Sequence, residues 1–148
     1  MATVHRFEDL KVWQKARAFA KEVFILTKKE PFSKDFKHRD QINDSAGSIM
    51  DNIAEGFERS GRKEFRQFLS ISKGSTAEAQ SQLYRAFDKD YITESELNEK
   101  LTQTNEISRM IRGLMNYVSN SDYSGDKFKE PEPTYFTKQQ LETRDDKL

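Results

Sequence analysis

The sequence has no cysteine and only three prolines among its 148 residues. Without cysteine, a disulfide framework and a thiolate-ligated metal site are both excluded. Two of the prolines, Pro131 and Pro133, lie near the C-terminal end, and the third, Pro31, falls between two helical patterns. Proline punctuates local structure, so residues 29–36 are predicted to form a loop.

Long apolar runs are also missing, and none approaches the length of a membrane span, which excludes a transmembrane protein. Hydrophobic and charged residues each make up 34% of the chain, and the mean hydropathy is -0.92. Such values suit amphipathic helices that each bury one stripe. The first sixteen residues, MATVHRFEDLKVWQKA, lack a basic segment followed by an apolar one. We therefore expect no secretory signal, no membrane partner and a cytoplasmic protein.

An excess of positive charge is the third missing feature. Lysine and arginine total 25, and aspartate and glutamate also total 25. Residues 1–119 carry 20 basic and 18 acidic side chains, and residues 120–148 carry 5 and 7. A protein that mainly grips a phosphate backbone usually has a larger basic excess. The equal charge therefore argues against strong nucleic-acid binding by the whole surface, but it is compatible with a local basic patch.

Four helices are predicted from apolar residues that recur at intervals of three and four, at about 8–28, 40–57, 62–87 and 94–118. The first helix has Trp13 and Phe24 among its apolar positions, and we interpret Trp13 as a core residue rather than a base-stacking platform. Thr93 and Glu96 form the signature of a capping box before the fourth helix. Between the second and third helices, at residues 58–61, we expect Gly61 to adopt a left-handed conformation and Ser60 to cap the third helix.

The helix lengths and short connections predict an all-α, antiparallel up-down-up-down four-helix bundle over residues 1–118. From residue 119 the periodicity ends, and residues 119–148 are predicted to form a flexible polar tail. Gly47, Gly74 and Ser75 lie inside the second and third helices. Because a glycine inside a helix costs about 1 kcal/mol relative to alanine, we expect another backbone to pass close to these small residues.

Three segments carry a resemblance to a known family: FEDLKVWQKA at 7–16, QINDSAGSIMDNIAEGFERS at 41–60 and FLSISKGSTAEAQSQL at 68–83. They resemble the bacterial four-helix bundle proteins related to the 23S ribosomal RNA intervening-sequence protein, over about residues 7–118. The resemblance implies a ring-shaped homopentamer. It also implies kinship with the accessory protein of diversity-generating retroelements, which engages RNA and a reverse transcriptase.

Basic residues near the start of the third helix are the best candidates for nucleic-acid binding. The spacing places them on one stripe beside its apolar face, where they could contact phosphates; they are Arg59, Arg62, Lys63, Arg66 and Lys73. The alternative is a solvated face, or one that meets acidic residues such as Asp51 and Glu58 within an assembly. A second basic concentration surrounds the first loop, at Lys28, Lys29, Lys34, Lys37, His38 and Arg39.

Three functions compete at this stage. The leading interpretation is a non-enzymatic homo-oligomeric scaffold that presents a shared surface to structured RNA or to a nucleic-acid enzyme such as a reverse transcriptase. The second is a protein-interaction module without a nucleic-acid role, which binds through a groove between helices or through Phe128, Tyr135 and Phe136. The third, an enzyme, is not expected, because the sequence has no metal-binding histidine motif and no glycine-rich phosphate loop. We expect no catalytic residue, metal, cofactor or small-molecule substrate.

Overall fold

The computed structural model describes residues 3–120 and 128–129. Within these residues the chain is an all-α protein with four helices, as predicted: α1 (Lys11–Thr27), α2 (Phe36–Glu58), α3 (Arg62–Asp88) and α4 (Glu94–Ser119). Two residues near each end of the described chain, β1 (Thr3–Val4) and β2 (Phe128–Lys129), form a short antiparallel pair. Among the described residues, no helix is long and apolar enough to cross a membrane.

The starts of the first two helices differ from the sequence prediction. Residues Phe7–Asp9 form a short 3-10 turn, and α1 begins only at Lys11 because Leu10 has an extended backbone. In contrast, α2 begins at Phe36, four residues before the predicted start. There the side chain of Asp35 accepts a hydrogen bond from the backbone N–H of His38 at 3.3 Å, which satisfies one of the unpaired amides of the first turn.

The break between α2 and α3 reverses the expected roles of its two residues. Ser60 has the left-handed backbone, with φ of 60°, whereas Gly61 is the residue that precedes α3, with φ of -97° and no side-chain cap. The capping box of α4 is confirmed. Thr93 Oγ1 accepts from the Glu96 amide at 3.1 Å, and a Glu96 carboxylate oxygen accepts from the Thr93 amide at 2.9 Å, which lowers the pKa of Glu96.

One apolar core joins the four helices. Helix α1 packs against α2 and α4, and α3 packs against the same two helices, so that α1 and α3 lie across the core from each other. The largest fully buried side chains include Phe19, Phe32 and Phe65. Burial of an aromatic side chain of this size contributes about 1.5–3 kcal/mol to stability.

Two aromatic residues predicted for the apolar stripe of the first helix lie at its margin. Phe24 is 51% exposed, since the buried stripe of α1 runs through Val12, Ala16, Phe19, Val23, Leu26 and Thr27. Trp13 is half-buried and packs edge-on against Phe7, with ring centroids 5.2 Å apart. The spacing of apolar residues predicted the helix correctly, but it wrongly included Phe24 in the side of the helix that faces the core, and Trp13 lies at the edge of that side.

The small residues inside α2 and α3 do not behave alike. At Gly47 and Gly74 an added Cβ would meet no atom within 4 Å, so the expected close approach of another backbone within the chain is wrong at both positions. A close approach of α2 and α3 occurs instead at Gly56, where an added Cβ would lie 2.7 Å from Phe68 Cβ. Ser75, in contrast, is buried and its hydroxyl lies 2.8 Å from that of Ser48, so it does join α3 to α2.

The predicted C-terminal tail lies mostly outside the described residues. Within the described part, Thr3 pairs with Lys129 and Val4 with Phe128, so this point of the segment is bound to the start of the chain. Residues 121–127 and 130–148 are outside the described residues, and so are Tyr135 and Phe136 of the predicted docking motif.

Candidate functional site

Three of the predicted basic residues share one face of α3, which we name the α3 stripe: Arg62, Arg66 and Lys73. At 100° per residue, spacings of four and seven keep their Cα atoms within about 40° of one another, over about 16 Å of helix. Gln80 continues the same face and donates hydrogen bonds from Nε2 to Thr104 Oγ1 and Asn105 Oδ1, each at 2.9 Å. The α3 stripe therefore runs along the edge of α3 that borders α4.

The other two predicted residues lie apart from this stripe. Lys63 is exposed and points about 100° away from Arg62 around the helix. Arg59 follows the last residue of α2; its guanidinium lies 2.8 Å from a carboxylate oxygen of Glu55 and 5.3 Å from the ring centroid of Phe68. The sequence prediction of a single five-residue stripe thus separates into three neighbours, one outward-facing lysine and one paired arginine.

Two charges of the α3 stripe, those of Arg66 and Lys73, are available for a partner. Arg66 is exposed and Lys73 is half-buried, and neither forms an ion pair with any residue in the described part of the chain. In the described part of the chain, Asp51 and Glu58 form no ion pair with Arg66 or Lys73. An exposed charge without a partner keeps its full capacity to attract an oppositely charged ligand.

A polar groove of about 580 Å³ lies between α2 and α3, and we name it the α2–α3 groove. Serines line its floor, and the hydroxyl-to-hydroxyl contact of Ser48 and Ser75 closes it. Asp44, Glu78 and Ile71 also line the groove, and Ile71 is 45% exposed. Gln41, Gln82 and Arg85 complete the lining, so Ile71 is the apolar residue of an otherwise polar groove.

A second groove, of about 510 Å³, lies between α1 and α2, and we name it the α1–α2 groove. It is lined by Phe24, Thr27, Lys28, Ser33, Arg39, Asp40 and Asn43. The Asn43 amide bridges the two helices by donating to Thr27 Oγ1 at 3.0 Å. Phe24 lines the groove with Lys28 Nζ 4.4 Å from its ring centroid, and Phe36 lies next to the groove, with Cζ of the lining residue Arg39 4.8 Å from its ring centroid.

A polar network surrounds the buried ring of His38 at the end of the molecule where α2 begins and α3 ends. The ring of His38 is 2% exposed, and its Nε2 lies 2.9 Å from the carbonyl oxygen of Gln82. A carbonyl oxygen only accepts, so Nε2 carries the proton and Nδ1 of the neutral ring accepts from Lys89 Nζ at 3.3 Å. Lys89 and the Tyr91 hydroxyl both donate to Asp35 Oδ2, at 3.1 and 2.8 Å.

These contacts change the proton affinities of the network. The hydrogen bonds from Tyr91, Lys89 and the His38 amide lower the pKa of Asp35 to about 2, and the bond to Asp35 raises the pKa of Tyr91. Burial lowers the pKa of His38, and the positive charges of Lys89 and Arg85 act in the same direction, against the Gln82 carbonyl and the Asp35 carboxylate. The network therefore favours a neutral His38.

Comparison with known families identifies the chain. A family model described as 23S rRNA-intervening sequence protein matches residues 8–113. The chain belongs to this family. The match covers all of α1, α2 and α3 and most of α4, and it confirms the resemblance carried by the three sequence segments. A comparison with curated proteins returned no match.

Sequence reasoning missed the aromatic residues of the α1–α2 groove. The apolar period assigned Phe24 to the core stripe of the first helix, and Phe36 was assigned to a loop. Their exposure, 51% and 63%, follows from how the helices are rotated about their axes in the folded chain. The only sequence signal was the basic concentration around the first loop, which surrounds both rings.

Proposed function

We propose that this member of the 23S rRNA-intervening sequence protein family is a non-enzymatic, homo-oligomeric scaffold that binds structured RNA through the α3 stripe. The observation that carries the proposal is the alignment of Arg62, Arg66 and Lys73 on one edge of α3, two of them without an acidic partner in the described chain. Each phosphate that a basic side chain neutralises releases counterions and adds affinity. The description of the family supports RNA as the class of partner.

The contacts between helices support an antiparallel, up-down-up-down arrangement of the scaffold. Between α2 and α3, His38 meets Gln82 near one end, and Ser72 donates to the Ile49 carbonyl oxygen further along. Residue numbers therefore increase along α2 in the direction in which they decrease along α3. Helices α1 and α4 follow the same rule through Lys15 with Glu106 and Glu22 with Lys100, and Lys29, just after α1, pairs with Glu96.

This arrangement adds one residue of α4 to the RNA-binding edge. Gln80 of α3 meets Thr104, so that Lys73, two turns before Gln80, comes level with α4 residues two turns after Thr104. Arg112 occupies that level on the side of α4 that faces α3, and it is half-buried. We include Arg112 with the α3 stripe as a phosphate contact, because basic residues on two helices can follow a backbone better than one row.

We further propose that subunits of this chain form a closed ring, a pentamer by the family resemblance, through the α2–α3 groove. Its shallow, serine-lined floor and the exposed side chain of Ile71 offer a surface for a neighbouring subunit. Gly47 and Gly74 lie inside the same two helices, and the open space over both leaves room for another backbone. A ring also repeats the α3 stripe around an axis, which raises affinity through multivalency.

A protein-binding role without RNA is the second candidate, and the α2–α3 groove favours it. Two acidic residues, Asp44 and Glu78, line it beside one basic residue, Arg85, and this excess of negative charge would attract a basic protein segment rather than a phosphate backbone. A reverse transcriptase, the partner class of the retroelement accessory proteins that this chain resembles, is one protein that such a groove could hold.

Light scattering of the purified chain, with and without a structured RNA, tests the main proposal. We expect a mass of five 17.3-kDa chains and RNA binding that weakens steeply between about 50 and 200 mM salt. Replacing Arg66 and Lys73 together with alanine should lower the salt slope by about 0.7–0.9 for each phosphate that is no longer neutralised. The matched control replaces Lys11 and Lys15, which lie on the opposite helix, and should leave the slope unchanged.

The ring and the RNA site are tested separately. Gly74→Leu should reduce the mass towards one chain if the α2–α3 face is the subunit contact, whereas Gly113→Leu, at an equally open position on α4, should not. A ring that ignores RNA at both salt concentrations would sink the RNA proposal and favour the protein-binding candidate. A monomer that binds RNA would overturn the ring.

A further inference from the structure

The α1–α2 groove combines exposed aromatic rings with basic side chains in a way that the α3 stripe does not. Phe24 lines this groove and Phe36 packs under the lining residue Arg39, and more than half of each phenylalanine is exposed. Each ring is covered on one face by a cation, Lys28 or Arg39, and leaves the rest of its surface open. Exposed aromatic rings beside basic groups are the usual elements of a surface that stacks unpaired bases.

Helix α1 extends this surface along its length. Trp13, Arg17, Lys21, Phe24 and Lys28 are separated by four, four, three and four residues, so they form one row on the helix surface. The Arg17 guanidinium lies 5.7 Å from the Trp13 ring centroid, which repeats the cation-over-ring arrangement of Phe24 and Lys28. We name these five residues the α1 row.

The charge of this side favours an anionic ligand. The α1 row contains three basic residues, Arg17, Lys21 and Lys28, and no acidic residue. The one acid of helix α1, Glu22, is paired with Lys100 on the α4 side. The acid that lines the α1–α2 groove, Asp40, is paired with Arg39 at 3.0 Å. The basic side chains of the α1 row therefore face solvent with little acidic competition.

Arg39 is held in position for stacking. Its NH1 donates to the Ser33 carbonyl oxygen at 3.1 Å, and its Nε donates to Asp40 Oδ1 at 3.0 Å. A planar guanidinium fixed at two of its nitrogens loses little conformational freedom when a flat ligand stacks on it. A lysine at the same position would supply the charge but not the plane.

We propose that the α1 row and the α1–α2 groove bind a single-stranded segment of RNA, with unpaired bases stacked on Phe24, Phe36 and Arg39 and the phosphates near Lys21 and Lys28. This inference rests on the proposed RNA-binding function and gives it a second, distinct surface. A duplex would not use the rings, because its base faces are already stacked. A protein helix would instead require a continuous apolar stripe, which the basic residues interrupt.

The test compares an unstructured uridine-rich RNA oligonucleotide with a stable RNA hairpin of equal length, each titrated with the full chain by fluorescence polarisation. The variant Phe24→Ser with Phe36→Ser should weaken binding of the unstructured RNA about tenfold or more and leave hairpin binding unchanged. Arg39→Lys should weaken binding of the unstructured RNA less than this double variant does. Phe24→Tyr keeps an aromatic ring and should bind the unstructured RNA as the original chain does. The matched control is Ile25→Ser, since Ile25 is 48% exposed on the same helix but lines a cavity on the α4 side.

The outcomes separate this inference from the proposed function. Hairpin binding that depends on Arg66 and Lys73, with unstructured RNA bound equally by the phenylalanine variants and the original chain, would overturn this inference alone. Loss of binding to both RNAs in the original chain would overturn both proposals. Tighter binding of a single-stranded DNA of the same sequence would overturn the assignment to RNA, and selective loss of unstructured-RNA binding in the phenylalanine variants would support it.

Discussion

His38 joins the start of α2 to the end of α3 through a hydrogen bond from its Nε2 to the carbonyl oxygen of Gln82, at 2.9 Å. The other ring nitrogen, Nδ1, faces the ammonium group of Lys89 at 3.3 Å. Protonation of the ring would place a second N–H, and a second positive charge, against that ammonium group. The contact is therefore compatible with the neutral imidazole and not with the imidazolium.

Stability should fall as the pH drops below the ordinary pKa of histidine, about 6.5. The pKa of His38 is lower in the folded chain, so the unfolded chain binds the proton first and gains free energy from it, with a slope of at most about 1.4 kcal/mol per pH unit. His38→Gln keeps a donor for Gln82 and removes the titration. Denaturant unfolding between about pH 7 and pH 5 should show a flatter profile for this variant.

The exposed His5 provides the control for the pH experiment. His5→Gln makes the same chemical change far from the network and should leave the profile of the original chain intact. A profile that flattens equally in both variants would rule out the His38 contact as its cause. Asp35 contributes in a separate window: its carboxylate stabilises the fold above pH 3.8 and loses this effect as the pH falls towards its folded pKa of about 2.

Gly56→Ala should destabilise the chain, because the added Cβ would lie 2.7 Å from Phe68 Cβ and 3.1 Å from Phe65 Cδ1. Overpacking of this kind costs about 1–3 kcal/mol. Gly113→Ala, where the added Cβ meets nothing within 4 Å, should instead stabilise α4 by up to about 1 kcal/mol. Thermal unfolding of the two variants measures both effects, and an unchanged melting temperature for Gly56→Ala would contradict the close contact.

Glu22→Ala should cost more stability than Lys100→Met. Lys100 has only 5% of its side chain exposed, whereas Glu22 has 37%, so removal of the carboxylate leaves a buried ammonium group with fewer partners. A buried charge that loses a partner costs about 1–3 kcal/mol, while a thioether replaces the lysine stem in an apolar setting at little cost. Equilibrium denaturation of both single variants and the double variant gives the coupling energy, and the reverse order would refute the argument.

The helices could be predicted from the sequence because their signals are local. Apolar residues at intervals of three and four predicted four helices, and Thr93 with Glu96 predicted a capping box whose two hydrogen bonds are present. Both signals depend only on residues within one or two turns of each other. The family resemblance was likewise carried by short contiguous segments, and the family match over residues 8–113 confirmed it.

The features that the sequence did not reveal depend on how the helices meet. Whether Phe24 is buried depends on the rotation of α1 against α2, and the close approach at Gly56, rather than at Gly47 or Gly74, depends on where α2 and α3 cross. His38 meets Lys89 across 51 residues of sequence, and no local pattern indicates that pairing. The α3 stripe was predictable for Arg62, Arg66 and Lys73 because one helix carries all three.

The pairing of Val4 with Phe128 has a consequence for the order of folding. The two residues are 124 positions apart (128 minus 4), whereas the contact of Gly56 with Phe68 spans only 12 (68 minus 56). Closing so long a loop costs more conformational entropy than the contact returns until the intervening chain is ordered. The strand pair should therefore form after the helices have packed and open before they separate, so that amide hydrogens at this seam exchange with solvent while those of the helix interiors stay protected.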